Sequence, residues 1–240
     1  MGCLRPISWR GSSEIFVLPP EGFIHRRAIL DADACAAWTR AVYAARADWI
    51  PCFEGVQFTL GRAYYTHLEE DREEEYFAAA PDSDELVNRV LPGMQAGVLA
   101  IMAELLGKAV VPRAGWCGPG LHIFPAGAWL SAHGGDIHFD VEGLTVGALG
   151  SRAPAVSAIV MLQPPARGGG LRIWNARYAG ADEVEGADRL PSTLVEYTEG
   201  DLLIMDSYRL HQIQRFEGRR DRVSITAHAV FEGGAWHAWF

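Results

Sequence analysis

The chain has 240 residues, of which 49% are hydrophobic, and it carries a formal net charge of −9. This length and apolar content are sufficient for one compact domain with a sizeable core. The acidic balance argues against a nucleic-acid partner, because binding to phosphates needs a basic face that displaces counterions. No apolar run approaches the length needed to cross a bilayer, so the sequence predicts no membrane partner.

The four cysteines, Cys3, Cys35, Cys52 and Cys117, form neither a CxxC pair nor a regular spacing. This pattern indicates neither a zinc site nor a disulfide framework. The N-terminal residues show no apolar segment typical of a secretion signal. We therefore expect a cytoplasmic protein whose reduced thiols have packing roles.

Two segments of the N-terminal half have the periodicity of helices. The first, DADACAAWTRAVYAARADW, is expected to be capped by Asp31 or Asp33. The second, SDELVNRVLPGMQAGVLAIMAELLG, begins at Ser83, which can cap it, and Gly107 can end it. Pro92 lies inside the second segment and is expected to kink or divide the helix.

From residue 110 onward, short apolar segments are separated by glycine, proline and aspartate. They are LHIF, AVSAIVMLQ, GLRIW, TLVEY, DLLIMD and RVSITAHAVF. This punctuation is typical of an all-β sandwich or barrel rather than of alternating strands and helices. We therefore predict an α+β fold in a single domain over 1–240. Residues 1–109 form a mostly helical support and a candidate substrate lid, residues 110–240 form the β core, and a soft boundary lies near 106–113.

The stretch GGDIHFDVEGLT places His138 and Asp140 two residues apart. In a strand, residues i and i+2 point to the same face, so these two side chains can converge on one point. A third ligand from a distant strand would complete a two-histidine, one-carboxylate face with open positions, which suits iron(II). His211, in GDLLIMDSYRLH, is the candidate third ligand. Taken alone, it is more simply explained as a hydrogen-bonded histidine at a strand end.

The segment RVSITAHAVF places Arg222, Ser224, Thr226 and His228 on one face of a predicted strand, with apolar residues opposite. A row of hydrogen-bonding side chains on one face predicts that the strand lines a polar cavity. Arg222 offers a planar fork suited to a carboxylate, and Ser224 adds a hydroxyl one pleat along the strand.

Together, HFD, GDLLIMDSYRLH and RVS resemble the iron(II)- and 2-oxoglutarate-dependent oxygenases, particularly their prolyl-hydroxylase-like branch. AIVMLQPPARGGGLRIW is similar to the strand, turn and Gly-Gly-x-Leu segment of that branch, with one glycine more. The match covers roughly residues 120 to 231, and the helical N-terminal part carries no motif of the family. The resemblance implies a double-stranded β-helix, a cupin-like jelly-roll barrel, with iron at its open end.

The resemblance also implies the roles of individual residues. His138, Asp140 and His211 would bind iron(II), and Arg222, assisted by Ser224, would hold the distal carboxylate of 2-oxoglutarate. The implied reaction is hydroxylation of an unactivated C–H bond of a small molecule, such as an amino acid or similar metabolite. Dioxygen and 2-oxoglutarate would be consumed, and succinate and CO2 released.

Further contacts to the cofactor and substrate are expected from the cavity walls. Where family members often carry a tyrosine that contacts 2-oxoglutarate, GLHIFPAG offers His122 or Phe124; His122 can replace the tyrosine as a donor or serve a structural role. Hydrophobic packing is the simpler interpretation of the aromatic segment CFEGVQFTLGRAYYTHL and of the tail GGAWHAWF. The candidate substrate contacts are Arg62, Tyr65, Trp174, Thr226 and His228.

Desaturation or ring closure by the same site stays open besides hydroxylation, because these outcomes depend on how the substrate is placed. The sequence leaves two further alternatives. PAGAWLSAHGGD also resembles the family's Gly-x-x-Leu-x-x-His approach to the metal, which would make His133 the ligand and leave Gly135 where the carboxylate stands. Related halogenases use such a glycine, because the vacated position admits chloride. The second alternative is a non-catalytic jelly-roll protein that binds a metal or ligand and does not need Arg222 as a clamp. The oligomeric state does not follow from the sequence.

Overall fold

The computed structural model describes residues 18–181 and 184–240. Cys3 lies outside these ranges, and the other three cysteines are buried free thiols. The helices in the described ranges are α1 (Ala32–Ala44), α2 (Tyr64–Glu69), α3 (Glu73–Ala78), α4 (Ala80–Val90), α5 (Met94–Leu106), α6 (Trp129–His133) and α7 (Val146–Ser151). The strands are β1 (Phe23–Arg26), β2 (Ile50–Cys52), β3 (Gln57–Leu60), β4 (Val110–Pro112), β5 (Gly120–Phe124), β6 (Ala155–Gln163), β7 (Arg167–Gly168), β8 (Leu171–Arg177), β9 (Ser192–Val195), β10 (Leu202–Asp206), β11 (Arg209–Ile213), β12 (Phe216–Glu217), β13 (Arg222–Glu232) and β14 (Ala235–Trp239).

Nine strands form one large sheet, in which the order of seven is β1-β10-β6-β13-β5-β3-β2. Strand β14 pairs with β13 and also, in parallel, with β4; the other pairs are antiparallel. The N-terminal half is therefore more than a helical support, because it contributes β1, β2 and β3 to this sheet. The aromatic segment contains β2 and β3.

A second sheet has the order β11-β8-β9, and β12 pairs with β7. The fold is thus a mixture of helices and antiparallel sheets, as predicted. Within the described ranges, the strand pairing does not close a barrel.

The alternation of residues along β13 and β5 separates two environments. Val223, Ile225 and Ala227 belong to the main hydrophobic core, into which α1, α4 and α5 also pack. On the opposite face, Arg222 and Ser224 line a cavity. This arrangement follows from the period of two in a strand, and it places one face of the large sheet against helices and the other toward the site.

The boundaries of the helices follow local signals with one exception. Asp31 caps α1 by accepting a hydrogen bond from the Ala34 amide at 2.7 Å, and Gly107 ends α5 in a left-handed conformation with φ +66°. The predicted cap at Ser83 is wrong, because α4 begins at Ala80 with a proline in its first turn and the Ser83 hydroxyl accepts from the Arg62 amide instead.

Pro92 divides the second helical segment as predicted. Helices α4 and α5 are bent by 94° at the break between them. Among the described residues, no single helix is long and apolar enough to cross a membrane, although this bent pair meets the length and composition criteria together.

Candidate functional site

A cavity of about 420 Å³ is lined by residues of both sheets. Its walls include Ser157 and Ile159 of β6, Leu171 of β8, and Ile213 of β11. Aromatic side chains form much of the remaining surface: Phe53, Tyr64, Tyr65, Phe124, Trp129, Trp239 and Phe240. The cavity therefore combines apolar and aromatic walls with converging polar groups, as small-molecule sites do.

His138 and Asp140 lie in an extended segment rather than in a strand, which corrects the prediction. Isolated backbone hydrogen bonds hold the segment in place. His138 and His211 form a bridge of two bonds, of 3.0 and 2.9 Å, and the Asp140 amide donates to the Ser207 carbonyl at 3.0 Å. These bonds keep the backbone extended without continuing a sheet. Both side chains consequently still reach one point, beside β11.

The side chains of His138, Asp140 and His211 form a compact group of metal ligands. The Oδ1 atom of Asp140 lies 3.5 Å from Nε2 of each histidine, and all three ligand atoms are within 4.8 Å of one another. The Nδ1–H of His138 donates to the Asp136 carbonyl and that of His211 to the Arg209 carbonyl, both at 2.9 Å. These bonds leave the two Nε2 lone pairs free for a metal.

The charges in this group favour a cation. Burial opposes ionisation of Asp140, but the imidazoles of His211, His228 and His138 hold its pKa well below its ordinary value. Burial also opposes protonation of His138, but the hydrogen bond and charge of Asp140 outweigh it and raise the pKa of His138 to about 9. A metal would therefore compete with a proton for His138 Nε2. Two imidazoles and one carboxylate fit iron(II), because they leave coordination positions open.

Arg222 lies in the wall of the same cavity and is only 1% exposed. Its Nε donates to the Gly169 carbonyl and its Nη1 to the Ser224 hydroxyl, both at 3.1 Å. Its Nη2 has no hydrogen-bond partner among the described residues. The guanidinium carbon also lies 5.5 Å from the ring centre of Phe124 and 5.6 Å from that of Tyr197.

The unpaired nitrogen makes Arg222 a candidate ligand-binding group. A buried guanidinium nitrogen without an acceptor, such as Nη2 here, is unfavourable, and a carboxylate supplies acceptor oxygens in the matching plane. The donors present here therefore fit the carboxylate of an acid such as 2-oxoglutarate.

His122 is the neighbour of Ser224 across β5 and β13, and it is 6% exposed. Its Nδ1 has no partner among the described residues, and its ring packs against Phe124 and Phe240 at centroid distances of 5.6 and 4.8 Å. Burial, together with the charges of His228 and Arg222, lowers the pKa of His122 to about 3. His122 is thus a neutral hydrogen-bonding group in the cavity wall.

Three predicted substrate contacts line the cavity: Tyr65, Thr226 and His228. His228 also belongs to a polar chain that the sequence did not reveal, since its Nδ1 lies 3.1 Å from the Ser157 hydroxyl, which lies 2.9 Å from the Ser207 hydroxyl. The same Nδ1 is 3.9 Å from Asp140 Oδ2. Burial lowers the pKa of His228, against the opposing effect of the Asp140 carboxylate.

Two predicted substrate contacts lie elsewhere, which corrects those predictions. Arg62 forms an ion pair with Glu75 at 2.7 Å and bonds His67 at 2.8 Å, so its guanidinium is held away from the cavity. Trp174 packs into a separate cluster with Phe139. The cause is alternation along β8, where Leu171 faces the cavity and Trp174 lies on the opposite face.

His133 does not join the metal-ligand group. It ends α6 and is exposed, its Nδ1–H donates to the Trp129 carbonyl at 2.9 Å, and its ring stacks on Trp129 at 4.6 Å. Gly135 borders the cavity through its backbone, which donates to the Ile213 carbonyl at 2.9 Å. The arrangement therefore supports the ligand set with Asp140 over the one with His133 and Gly135.

Other residues of the site were missed because tertiary contacts alone bring them there. Tyr197 sits beside Arg222, Gln57 donates to the Tyr65 hydroxyl, and the Gly169 carbonyl holds Arg222. Only the glycine had a signal in the sequence, as part of the GGG segment. Trp239 and Phe240 line the cavity, so the aromatic tail combines packing with a place at the site.

No family model and no curated protein matches this sequence. Solved structures do match. The non-heme alpha-ketoglutarate-dependent carbocyclase SnoK from nogalamycin biosynthesis is similar with a TM-score of 0.57 and 13% identity, over 88% of this chain and 80% of that one. An N-substituted L-amino acid dioxygenase from Burkholderia ambifaria AMMD is similar with a TM-score of 0.56 and 13% identity, over 91% and 86%.

The epimerase SnoN, in a complex with Fe3+, alpha-ketoglutarate and nogalamycin RO, is similar with a TM-score of 0.53 and 14% identity, over 89% of this chain and 83% of that one. The chain therefore shares the fold of non-heme, alpha-ketoglutarate-dependent enzymes, and the resemblance seen in the sequence is supported. The narrower comparison with the prolyl-hydroxylase-like branch stays a prediction, because the prolyl hydroxylases among the similar structures have TM-scores of 0.44 and 0.47.

Proposed function

We propose that this protein is an iron(II)- and 2-oxoglutarate-dependent oxygenase that hydroxylates an unactivated C–H bond of a small molecule. The substrate, 2-oxoglutarate and dioxygen would give the alcohol, succinate and CO2. The large sheet and the β11-β8-β9 sheet, which line the cavity together, would correspond to the double-stranded β-helix, or jelly roll, of this class of enzyme.

One relationship carries the proposal: the group of His138, Asp140 and His211 shares a cavity with the buried, incompletely paired guanidinium of Arg222. A metal-binding protein without this chemistry would have no need for a buried cation in the same cavity. A 2-oxo acid with a distal carboxylate explains both features, because one end of the acid can bind the metal while the other end pairs with Arg222.

Each side chain would have a distinct task. His138, Asp140 and His211 would hold iron(II). In the two histidines, the hydrogen bond from the imidazole Nδ1–H to a backbone carbonyl fixes the orientation of the ring. Arg222 would bind the distal carboxylate of 2-oxoglutarate, and the Ser224 hydroxyl keeps the guanidinium in place. When bound here, iron(II) together with 2-oxoglutarate supplies the activation of dioxygen that oxidises the substrate.

The aromatic walls would give the substrate a dry and closely fitting environment. Tyr65, Phe124 and the adjacent Trp239 and Phe240 surround the cavity from three different parts of the chain. Exclusion of water strengthens the polar contacts of the site, and a fixed position of the substrate selects which C–H bond is oxidised.

Anaerobic titration of iron(II) and then 2-oxoglutarate into the apo protein tests the proposal. The expected result is the weak visible metal-to-ligand charge-transfer band of 2-oxoglutarate chelated to iron(II), present in the wild type and lost in His211→Ala. Stoichiometric iron binding without the band would contradict the proposal and favour a binding protein. Release of succinate from 2-oxoglutarate under air, measured next, reports turnover directly.

A further inference from the structure

Glu69, Trp129 and Asp136 are the exposed residues among those described in the cavity lining, and the part of the lining around them is here called the entrance. The entrance combines negative charge with aromatic surface. Glu69 from α2, together with Asp136 and Glu142 from the segment that carries His138, lines it with three carboxylates. Glu69 and Asp136 are exposed, whereas Glu142 is half-buried. Within residues 18–181 and 184–240, none of these carboxylates forms an ion pair with a lysine or arginine.

The cavity is a binding site on grounds independent of these carboxylates. His122 and Arg222 are 6% and 1% exposed, and each has a nitrogen in the cavity wall without a partner in the described part of the chain. Among the described residues, Arg222 is also the only arginine that lines the cavity, and no lysine of these ranges lines it. Once 2-oxoglutarate occupies Arg222, the part of the lining that the structure describes offers no further guanidinium or ammonium group to an acidic substrate.

We infer that the substrate carries a positively charged nitrogen on an apolar, ring-sized body; this inference rests on the oxygenase function proposed above. Glu69, Asp136 and Glu142 would bind the ammonium group at the entrance. Neighbouring carboxylates that lack a lysine or arginine partner disfavour one another's ionised forms, so a cationic group placed among them stabilises those forms. An anionic substrate would meet the opposite effect.

Aromatic residues beside the carboxylates would bind the apolar body. The Trp129 side chain is 56% exposed although its indole borders the cavity. The rings of Phe53 and Tyr65 lie 6.3 Å apart, between centroids, in the same lining. Exposed rings of this kind bind flat apolar groups, and their faces also attract an ammonium group.

Two matched series of compounds test the charge and the ring separately. The phenyl series consists of 2-phenylethylamine, its N-acetyl derivative and 3-phenylpropanoate, and the indole series of tryptamine, N-acetyltryptamine and indole-3-propanoate. Binding of each compound is measured anaerobically by calorimetry, with protein loaded with iron(II) and 2-oxoglutarate. The amine of at least one series is expected to bind about tenfold more tightly than its acetylated partner, and the carboxylate most weakly.

Charge-neutral variants assign the preference to the entrance. Glu69→Gln and Glu142→Gln are each expected to weaken binding of that amine about fivefold and to leave the acetylated compound unchanged. The control is Glu85→Gln, which makes the same change of charge on the exposed face of α4, away from the cavity. This control is expected to leave the affinity of both compounds unchanged.

The inference is wrong if no amine binds more tightly than its acetylated and anionic partners, including the case in which no compound binds. It is also wrong if Glu85→Gln weakens amine binding as much as the two entrance variants do. The charge-transfer band, recorded first, separates the two proposals. A band without a preference for amines rejects only the substrate class, whereas loss of the band rejects the oxygenase function.

Discussion

The backbones of His138 and His211 pair through two hydrogen bonds of 3.0 and 2.9 Å, and the centroids of their imidazole rings lie 4.2 Å apart. This pairing joins a segment outside the sheets to strand β11. The separation of the two rings is therefore set by backbone contacts, which alanine substitution of either side chain leaves intact. Loss of a ring should remove a metal ligand without removing the local structure.

His211→Ala and Asp140→Ala should each abolish specific iron(II) binding. Groups that hydrogen-bond to metal ligands typically contribute about 10- to 100-fold to metal affinity, so loss of a ligand itself should weaken iron(II) binding by more than that. Anaerobic equilibrium binding of iron(II) measures the effect. His133→Ala is the control, because His133 is exposed and outside the ligand group. Iron binding that survives Asp140→Ala but not His133→Ala would instead support the alternative site at His133 and Gly135.

Arg222→Ala should weaken 2-oxoglutarate binding about 10- to 100-fold, because buried charge-assisted hydrogen bonds contribute about 1.5 to 3 kcal/mol. Iron(II) binding should change little, since Arg222 is not part of the ligand group. Arg167→Ala is the matched control, because this side chain is 77% exposed and pairs with Glu217. Titration of 2-oxoglutarate against iron-loaded protein checks both variants, and equal affinities would rule out Arg222 as the clamp.

Gly143→Ala should destabilise the protein through two separable effects. Gly143 has φ +82°, and a Cβ atom there would lie 2.8 Å from Trp239 Nε1 and 3.0 Å from the Trp116 ring. Gly127 has φ +80° with no described atom within 4 Å of a Cβ, so Gly127→Ala isolates the backbone strain. We expect a loss of about 1 kcal/mol for Gly127→Ala and about 2 to 4 kcal/mol for Gly143→Ala. Urea unfolding of both variants measures the difference, and equal losses would exclude the contact with Trp239 and Trp116.

Asp201→Asn should remove stability in a pH-dependent way. The Asp201 carboxylate is buried and accepts bonds from the Thr198 amide at 2.8 Å, the Ala28 amide at 3.2 Å and Arg27 at 2.7 Å. Burial opposes ionisation, but these donors outweigh it and lower the pKa of Asp201. Because the folded pKa lies below the unfolded one, the stabilisation is complete above the unfolded pKa and disappears as pH falls through the folded value.

Unfolding free energies from pH 7 downward test this expectation. At pH 7 the loss in Asp201→Asn should be about 1 to 3 kcal/mol, and it should shrink toward acidic pH. Asp48→Asn, at an exposed position, provides the same change of charge without the buried contacts. A loss that stays constant down to low pH would show that the ionised carboxylate is not responsible.

The sequence by itself determined the local features of this protein. Period-two alternation placed Arg222 and Ser224 opposite Val223 and Ile225, and the structure has these two faces. Asp31, Pro92 and Gly107 set helix boundaries through local hydrogen bonding and backbone preference. These predictions succeed because the interactions that decide them lie within a few residues along the chain.

Tertiary structure alone decided which side chains share the site. It brings Tyr197 and the Gly169 carbonyl to Arg222, turns Trp174 away from the cavity and ties Arg62 to Glu75. It also holds His138 in register with His211 through a single bridge rather than a strand. Such contacts depend on how sheets and loops that are far apart in the sequence pack against each other. No local pattern of residues encodes this packing.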